Sequence, residues 1–198
     1  MRYVNQLDYS HMLYVTRTSM EGAAQEKGRT TTVRGSGCGL CSAIMVADRL
    51  LTDYKFDLED AIQLSYDVEA NHRPGTDYQR FAPAFAEKLG LRMEATPDMD
   101  RLRECLRTGG AAVAHVSEKE GYIGVFTHNR HYVAVIGEEP DGRIAVLDPS
   151  YKEGKYEEEG RKGKVELKNG VIALCAPEVL QADAVNDRPA AYYLFWRK

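Results

Sequence analysis

The sequence has no long hydrophobic run. None of its 198 residues falls in a stretch long and apolar enough to cross a bilayer. The first fifteen residues also lack a basic region followed by an apolar run, which a signal peptide requires. We therefore expect a protein without a membrane segment. Its expected location is cytoplasmic, or secreted if a signal peptide has been removed.

Cysteine is also scarce, and the basic residues form no cluster. Four cysteines are too few for the disulfide framework of a small secreted fold. No second Cys or His pair stands at the spacing of a zinc site, so we expect neither metal nor cofactor. The net charge of -4 comes with no basic cluster, which argues against nucleic acid as a partner. The charged segment 152–168 mixes both signs and is interpreted as a solvated loop.

The first half of the chain carries helical patterns, while residues 1–36 are polar and irregular. Apolar residues recur at helical spacing from Cys38 to Leu51. Further helices are predicted to begin at Asp57, near Asp77 and at Thr96-Pro97. A short strand, LRMEA, precedes the last of these.

The second half is rich in β-branched residues and Ala. Strands are predicted at AAVAHV, HYVAVIG, RIAVLD, VIALC and AAYYLFW, with a short helix at 177–182. A turn containing Asp141-Gly142 joins the second and third of these strands as a hairpin. The pattern predicts an α+β fold, with N-terminal helices packed on a C-terminal antiparallel sheet, in one domain over 1–198.

Cys38 is the most informative single residue. It lies between Gly37 and Gly39 at the first turn of a strongly patterned helix. There the unpaired backbone N–H groups and the helix dipole favour an anion, which lowers the pKa of a thiol. The flanking glycines favour an accessible nucleophile over the alternative, a buried structural cysteine.

His131 and Asp148 form the second signal. His131 opens one strand of the predicted hairpin and Asp148 closes the other. Because hairpin partners run antiparallel, these two ends lie side by side. A carboxylate beside His fixes the tautomer and stabilises the imidazolium, as in a nucleophile–base–orienter triad. Taken singly, the residues are also compatible with a surface His and an Asp-Pro turn, and His128 is a rival base in the preceding loop.

Four segments resemble one family in the order in which they occur. They are GSGCGLCSAIMVADRLL, GTDYQRFAPAFAEKLGL, RLRECLRTGGAAVAHV and HYVAVIGEEPDGRIAVLDPS. The first resembles the nucleophile helix of papain-like cysteine peptidases, and together they are similar to the branch that processes bacteriocin leaders at a double glycine. Leu40 and Cys41 stand where that branch has Pro and Thr.

The resemblance implies a papain-like fold and a set of roles. Cys38 would be the nucleophile, His131 the base and Asp148 the residue that orients the base. The branch also uses a Gln upstream of the Cys in its oxyanion hole, and Gln6 in QLDY is the best match. The backbone N–H of Cys38 would be the second donor. The implied substrate is a peptide or another amide.

Three other functions remain open from the sequence. A transglutaminase-like or other acyltransferase uses the same Cys–His–Asp order. A papain-like fold can also persist as an inactive binding module. The motif CGLC, formed by Cys38 and Cys41, resembles a dithiol redox site, although a polar, glycine-rich segment precedes it instead of the apolar strand that such a site follows.

Overall fold

A computed structural model describes residues 1–15, 32–71, 75–185 and 190–198 of the chain. The expectation that residues 1–36 are irregular lies partly outside these residues, because 16–31 are not among them. In the described parts, a 3-10 turn forms at Gln6–Asp8 and a short helix, α1, at Val33–Ser36. The turn and α1 pack against each other, so the described residues on the two sides of 16–31 lie close together.

Three longer helices follow as predicted. They are α2 (Cys38–Leu50), α3 (Leu58–Asp67) and α4 (Tyr78–Lys88). Asp57 caps α3 through a reciprocal capping box with Asp60. None of the helices within the described residues is long and apolar enough to span a membrane.

A seven-stranded antiparallel sheet forms the other half of the fold. In chain order its strands are β1 (Leu91–Thr96), β2 (Ala111–Ser117), β3 (Arg130–Glu138), β4 (Ile144–Leu147), β5 (Val165–Lys168), β6 (Ile172–Cys175) and β7 (Tyr192–Arg197). Their order in the sheet is β1-β7-β2-β3-β4-β6-β5. The predicted hairpin is β3–β4, in which Ala134 pairs with Leu147, and a bulge lies between Val135 and Gly137.

The sheet has a hydrophobic core on each face. On one face, helices α2, α3 and α4 bury residues such as Leu40, Ile44 and Phe85 against Val113 and Phe195. On the other face lie α5 (Met99–Arg107) and α6 (Pro177–Asp183). Because α2 packs directly on β3, the helix that carries Cys38 is fixed to the strand that carries His131. The predicted α+β class with an antiparallel sheet is confirmed.

Two details differ from the predictions. The fourth long helix begins at Met99, because the Asp98 carboxylate accepts the backbone N–H of Asp100 and caps it there. The segment 152–168 is also more than a solvated loop. It contains a 3-10 turn, Lys155–Glu157, and the strand β5, and it buries Lys155 and Arg161.

Candidate functional site

Cys38 is the first residue of α2, and Gly37 precedes it without a side-chain cap. Packing explains the two flanking glycines better than substrate access does. A Cβ on Gly37 would lie 2.5 Å from a Val33 methyl carbon, and one on Gly39 would lie 2.9 Å from the Tyr78 ring. The glycines therefore let the turn that carries the thiol sit tightly against its neighbours.

The thiol of Cys38 is half-buried and in an environment that favours the thiolate. Burial alone would raise its pKa. The hydrogen bond and positive charge of His131, with backbone hydrogen bonds from Tyr132 and Gly39, outweigh burial and lower the pKa below its ordinary value. The helix start supplies one of these amides, as the sequence predicts.

His131 lies between the thiol and a carboxylate. Its Nε2 is 2.8 Å from Asp148 Oδ1 and 3.1 Å from Ser150 Oγ. Nδ1 is then the ring nitrogen available to the thiol of Cys38. Burial lowers the pKa of an imidazole, but the hydrogen bonds and charges of Asp148 and Cys38 raise that of His131 to about 9.

Asp148 is fully buried and is the most heavily hydrogen-bonded group of the site. Besides His131, its Oδ1 accepts the backbone N–H and the hydroxyl of Ser150, at 2.8 and 3.0 Å. Its Oδ2 accepts from Lys155 Nζ at 2.5 Å and from the Tyr156 hydroxyl at 3.0 Å. Burial raises the pKa of a carboxyl, but here the hydrogen bonds and charges of His131 and Lys155 hold it well below its usual range.

Gln6 is buried between two segments, one just before Cys38 in the chain and one just after Asp148. Its Nε2 donates to the carbonyl of Arg34 at 2.8 Å, and its backbone N–H donates to the carbonyl of Pro149 at 2.7 Å. Its Oε1 is buried without a hydrogen-bond partner among the described residues. One N–H of the amide is therefore committed to Arg34, and the second is not accounted for by any hydrogen bond in the described parts of the chain.

The other predicted candidates have different surroundings. Cys41 is fully buried, and burial raises the pKa of its thiol, so it resembles a packed core residue more than a redox partner. Burial also raises the pKa of Cys105 and of Cys175, each to about 12. His128 is exposed in the loop and lies 2.7 Å from Glu118.

The fold matches solved peptidase domains. The peptidase domain of Streptococcus ComA, a bifunctional ABC transporter involved in a quorum-sensing pathway, is 14% identical and superimposes with a TM-score of 0.50. The match covers 81% of this chain and 91% of that domain. The chain has the fold of a C39 peptidase domain.

A second structure supports the C39 fold. A protein of Bacillus anthracis described as C39-like peptidase is 12% identical, with a TM-score of 0.51, over 82% of this chain and 88% of the other. Neither a family model nor a curated protein matches the sequence. At these identities the likeness concerns the fold, and it agrees with the resemblance to the leader-processing branch of papain-like peptidases.

Sequence reasoning missed the residues that surround Asp148. Ser150, Lys155 and Tyr156 all contact its carboxylate, and the Tyr3 hydroxyl donates to its backbone carbonyl at 2.6 Å. The charged segment that carries Lys155 and Tyr156 has no hydrophobic periodicity that would indicate their burial.

Proposed function

We propose that this chain is a cysteine-dependent hydrolase that cleaves a peptide or another amide bond. The observation that carries the proposal is the hydrogen-bonded series from Cys38 through His131 to Asp148. The thiol has a lowered pKa and the imidazole a raised one. Between those two pKa values the pair exists as thiolate and imidazolium, which is the reactive form of a cysteine nucleophile.

In the first step the Cys38 thiolate attacks the substrate carbonyl. The new S–C bond places negative charge on the carbonyl oxygen. His131 then gives its proton to the leaving amine, the C–N bond breaks and a thioester remains on Cys38. Asp148 holds the imidazole in place and stabilises its protonated form during this step.

Two donors are proposed for the oxyanion. One is the backbone N–H of Cys38, at the start of α2. The other is the second N–H of the Gln6 amide, whose first N–H is held by Arg34. In this role the hydrogen bond to Arg34 orients the amide before substrate arrives, so that no reorganisation is needed during the reaction.

Water completes the cycle. His131, neutral after the amine has left, takes a proton from water, and the hydroxide attacks the thioester carbonyl. The C–S bond breaks, the acid leaves, and His131 and Cys38 return to the ion pair. An amine in place of water would give acyl transfer, so the same site also defines the alternative activity to be tested.

Thiol labelling tests the nucleophile directly. With iodoacetamide at neutral pH, we expect one cysteine to react in a fast phase that Cys38→Ala abolishes. Cys41→Ala, on the same helix, is the matched control and should keep the fast phase, because the Cys41 thiol is buried with a raised pKa. Slow labelling of all four cysteines at similar rates would overturn the proposal.

Product analysis tests the reaction. A peptide library is incubated with the protein, with and without methylamine, and the products are identified by mass spectrometry. Cleavage to free acids that Cys38→Ala abolishes supports hydrolysis, whereas methylamides alone would indicate an acyltransferase. Fast labelling of Cys38 without any turnover of peptides or other amides would contradict the hydrolase assignment.

A further inference from the structure

Lys155 is a lysine in an unusual position. Only 6% of its side chain is exposed, and its Nζ lies 2.5 Å from Asp148 Oδ2 and 3.0 Å from Ser150 Oγ. Lysine is among the residue types that are rarely buried, because removing an ammonium from water is costly unless a partner compensates. Here the compensating partner is the carboxylate that also holds His131.

The two cations bind different oxygens of the Asp148 carboxylate. His131 binds Oδ1, while Lys155 binds Oδ2 together with the Tyr156 hydroxyl. The hydroxyl of Ser150 bridges the two sides, at 3.1 Å from His131 Nε2 and 3.0 Å from Lys155 Nζ. The carboxylate is therefore divided between the base and a buried lysine.

The charge balance of the site depends on this lysine. With the thiolate, the imidazolium, the carboxylate and the ammonium all present, two negative and two positive charges cancel. Without Lys155, the Asp148 carboxylate would act on the imidazolium alone and would hold its proton more strongly. An imidazolium that holds its proton too strongly is a poor acid for protonating the leaving amine.

We propose that Lys155 is a positioning residue that draws part of the Asp148 charge away from His131, so that the imidazolium releases its proton to the leaving amine when the thioester forms. This inference rests on the proposed function and names a residue that tunes the same site. Lys155 acts through Asp148 and is not placed in contact with substrate.

Other groups face this cluster from four parts of the chain. The Cys38 thiol approaches His131 from α2, and Tyr3 donates to the Asp148 carbonyl from the N-terminal segment. Ser150 follows the carboxylate in the chain, and Tyr156 adjoins Lys155.

Both tyrosines have pKa values raised by burial and by the charge of Asp148, so they stay neutral hydroxyl donors. The His131 imidazolium is therefore expected to lose its proton as the pH rises through about 9.

The test follows the protonation of His131 through the alkylation rate of Cys38. The full-length protein is alkylated with iodoacetate and with iodoacetamide from about pH 6 to about pH 11. The imidazolium attracts the iodoacetate anion, so the ratio of the two rates falls as His131 loses its proton. The midpoint of that fall reports the imidazole in the folded protein.

Removing the charge of Lys155 should move this midpoint upward. We expect an upward shift of about one pH unit or more for Lys155→Met. Lys155→Gln, which keeps a hydrogen-bond donor beside Ser150, should give the same direction of shift. Lys155→Arg, which keeps the charge, should restore the midpoint of the unsubstituted protein.

Arg161→Met is the matched control. Arg161 is another buried cation of the same segment, but it binds Glu158 and the carbonyl of Gly124 and not the triad, so its replacement should leave the midpoint in place. An unchanged or lowered midpoint in Lys155→Gln, with fast labelling of Cys38 retained, would overturn the inference. Loss of the fast phase in the unsubstituted protein would instead overturn the proposed function.

Discussion

The two ends of β3 carry the same kind of ionic cluster in different surroundings. At its start, Asp148 is shared by His131 and Lys155, whose side chains are each 6% exposed. At its end, Glu138 is shared by Arg103 and Arg107, which are 29% and 57% exposed. Each cluster consists of one carboxylate and two cations.

The difference between the clusters is the access of water to the cations. At the Glu138 end, burial raises the pKa of the carboxyl, but the two guanidinium groups outweigh burial and lower that pKa, and a guanidinium group does not act as an acid or base at ordinary pH. At the Asp148 end, one cation is an imidazole that can lose its proton, and it is buried beside a thiol. Under the proposed function, the Asp148 cluster is the one suited to acid–base chemistry, because one of its partners both titrates and is shielded from solvent.

The largest difference between the two clusters should appear in the hydrolysis rate when each carboxylate is neutralised in turn. Asp148→Asn removes the charge that stabilises the His131 imidazolium, so hydrolysis should fall roughly a hundredfold or more. Glu138→Gln should leave hydrolysis within about twofold, because its arginines do not reach the thiol. Initial rates on a peptide cleaved by the unsubstituted protein measure both.

The pH dependence of Cys38 labelling should distinguish the two clusters by the direction in which it shifts. Cys38 is reactive as the pH rises through its lowered pKa, and the imidazolium persists until the pH passes about 9. Asp148→Asn should bring this alkaline limit down towards the ordinary value for His, while Glu138→Gln should leave it unchanged. A profile that moves equally in both variants would refute the distinction between the two ends of β3.

The Asp148 end shows how much of the site could be predicted from the sequence. The strand patterns placed His131 and Asp148 at adjacent ends of a hairpin, and pairing in the sheet depends on local sequence and a short turn. The start of α2 placed Cys38 at a helix N-terminus for an equally local reason. The confirmed fold class follows from the same two periodicities, one helical and one of strands.

The residues around Asp148 could not be predicted in this way. Lys155 lies in a run of charged residues whose pattern has no buried face, and its burial arises because Gly154, with a φ of 79°, turns the chain back towards the carboxylate. Such burial depends on how an irregular loop folds back onto Asp148, seven residues earlier in the chain, and hydrophobic periodicity does not encode that path. The packing role of Gly39 was missed because Tyr78, which is 39 residues away in the sequence, approaches it only in the folded chain.

The free energy of unfolding should also distinguish the two clusters, by a smaller effect. Lys155→Met leaves the buried Asp148 carboxylate with one cation fewer, and we expect the free energy of unfolding to fall by on the order of 3 kcal/mol. Arg103→Met should cost much less, because Arg107 still pairs with Glu138 and solvent reaches that arginine. Urea denaturation of both variants measures the difference. Equal losses would mean that burial does not distinguish the two ends.

The smallest expected effect is a difference in sensitivity to salt. The Debye length falls to about 3 Å at about 1 M salt, which screens charges that solvent reaches and has little influence on buried pairs. The destabilisation caused by Glu138→Gln should therefore shrink when urea denaturation is repeated in concentrated sodium chloride. The destabilisation caused by Lys155→Met should persist, because neither Lys155 nor Asp148 is open to ions. Comparing each variant with the unsubstituted protein at the same salt concentration cancels the general effect of salt on folding. If the Lys155→Met difference also disappeared, the cluster beside Cys38 would be as open to solvent as the one at Glu138, and the tuning of His131 by a shielded lysine would lose its physical basis.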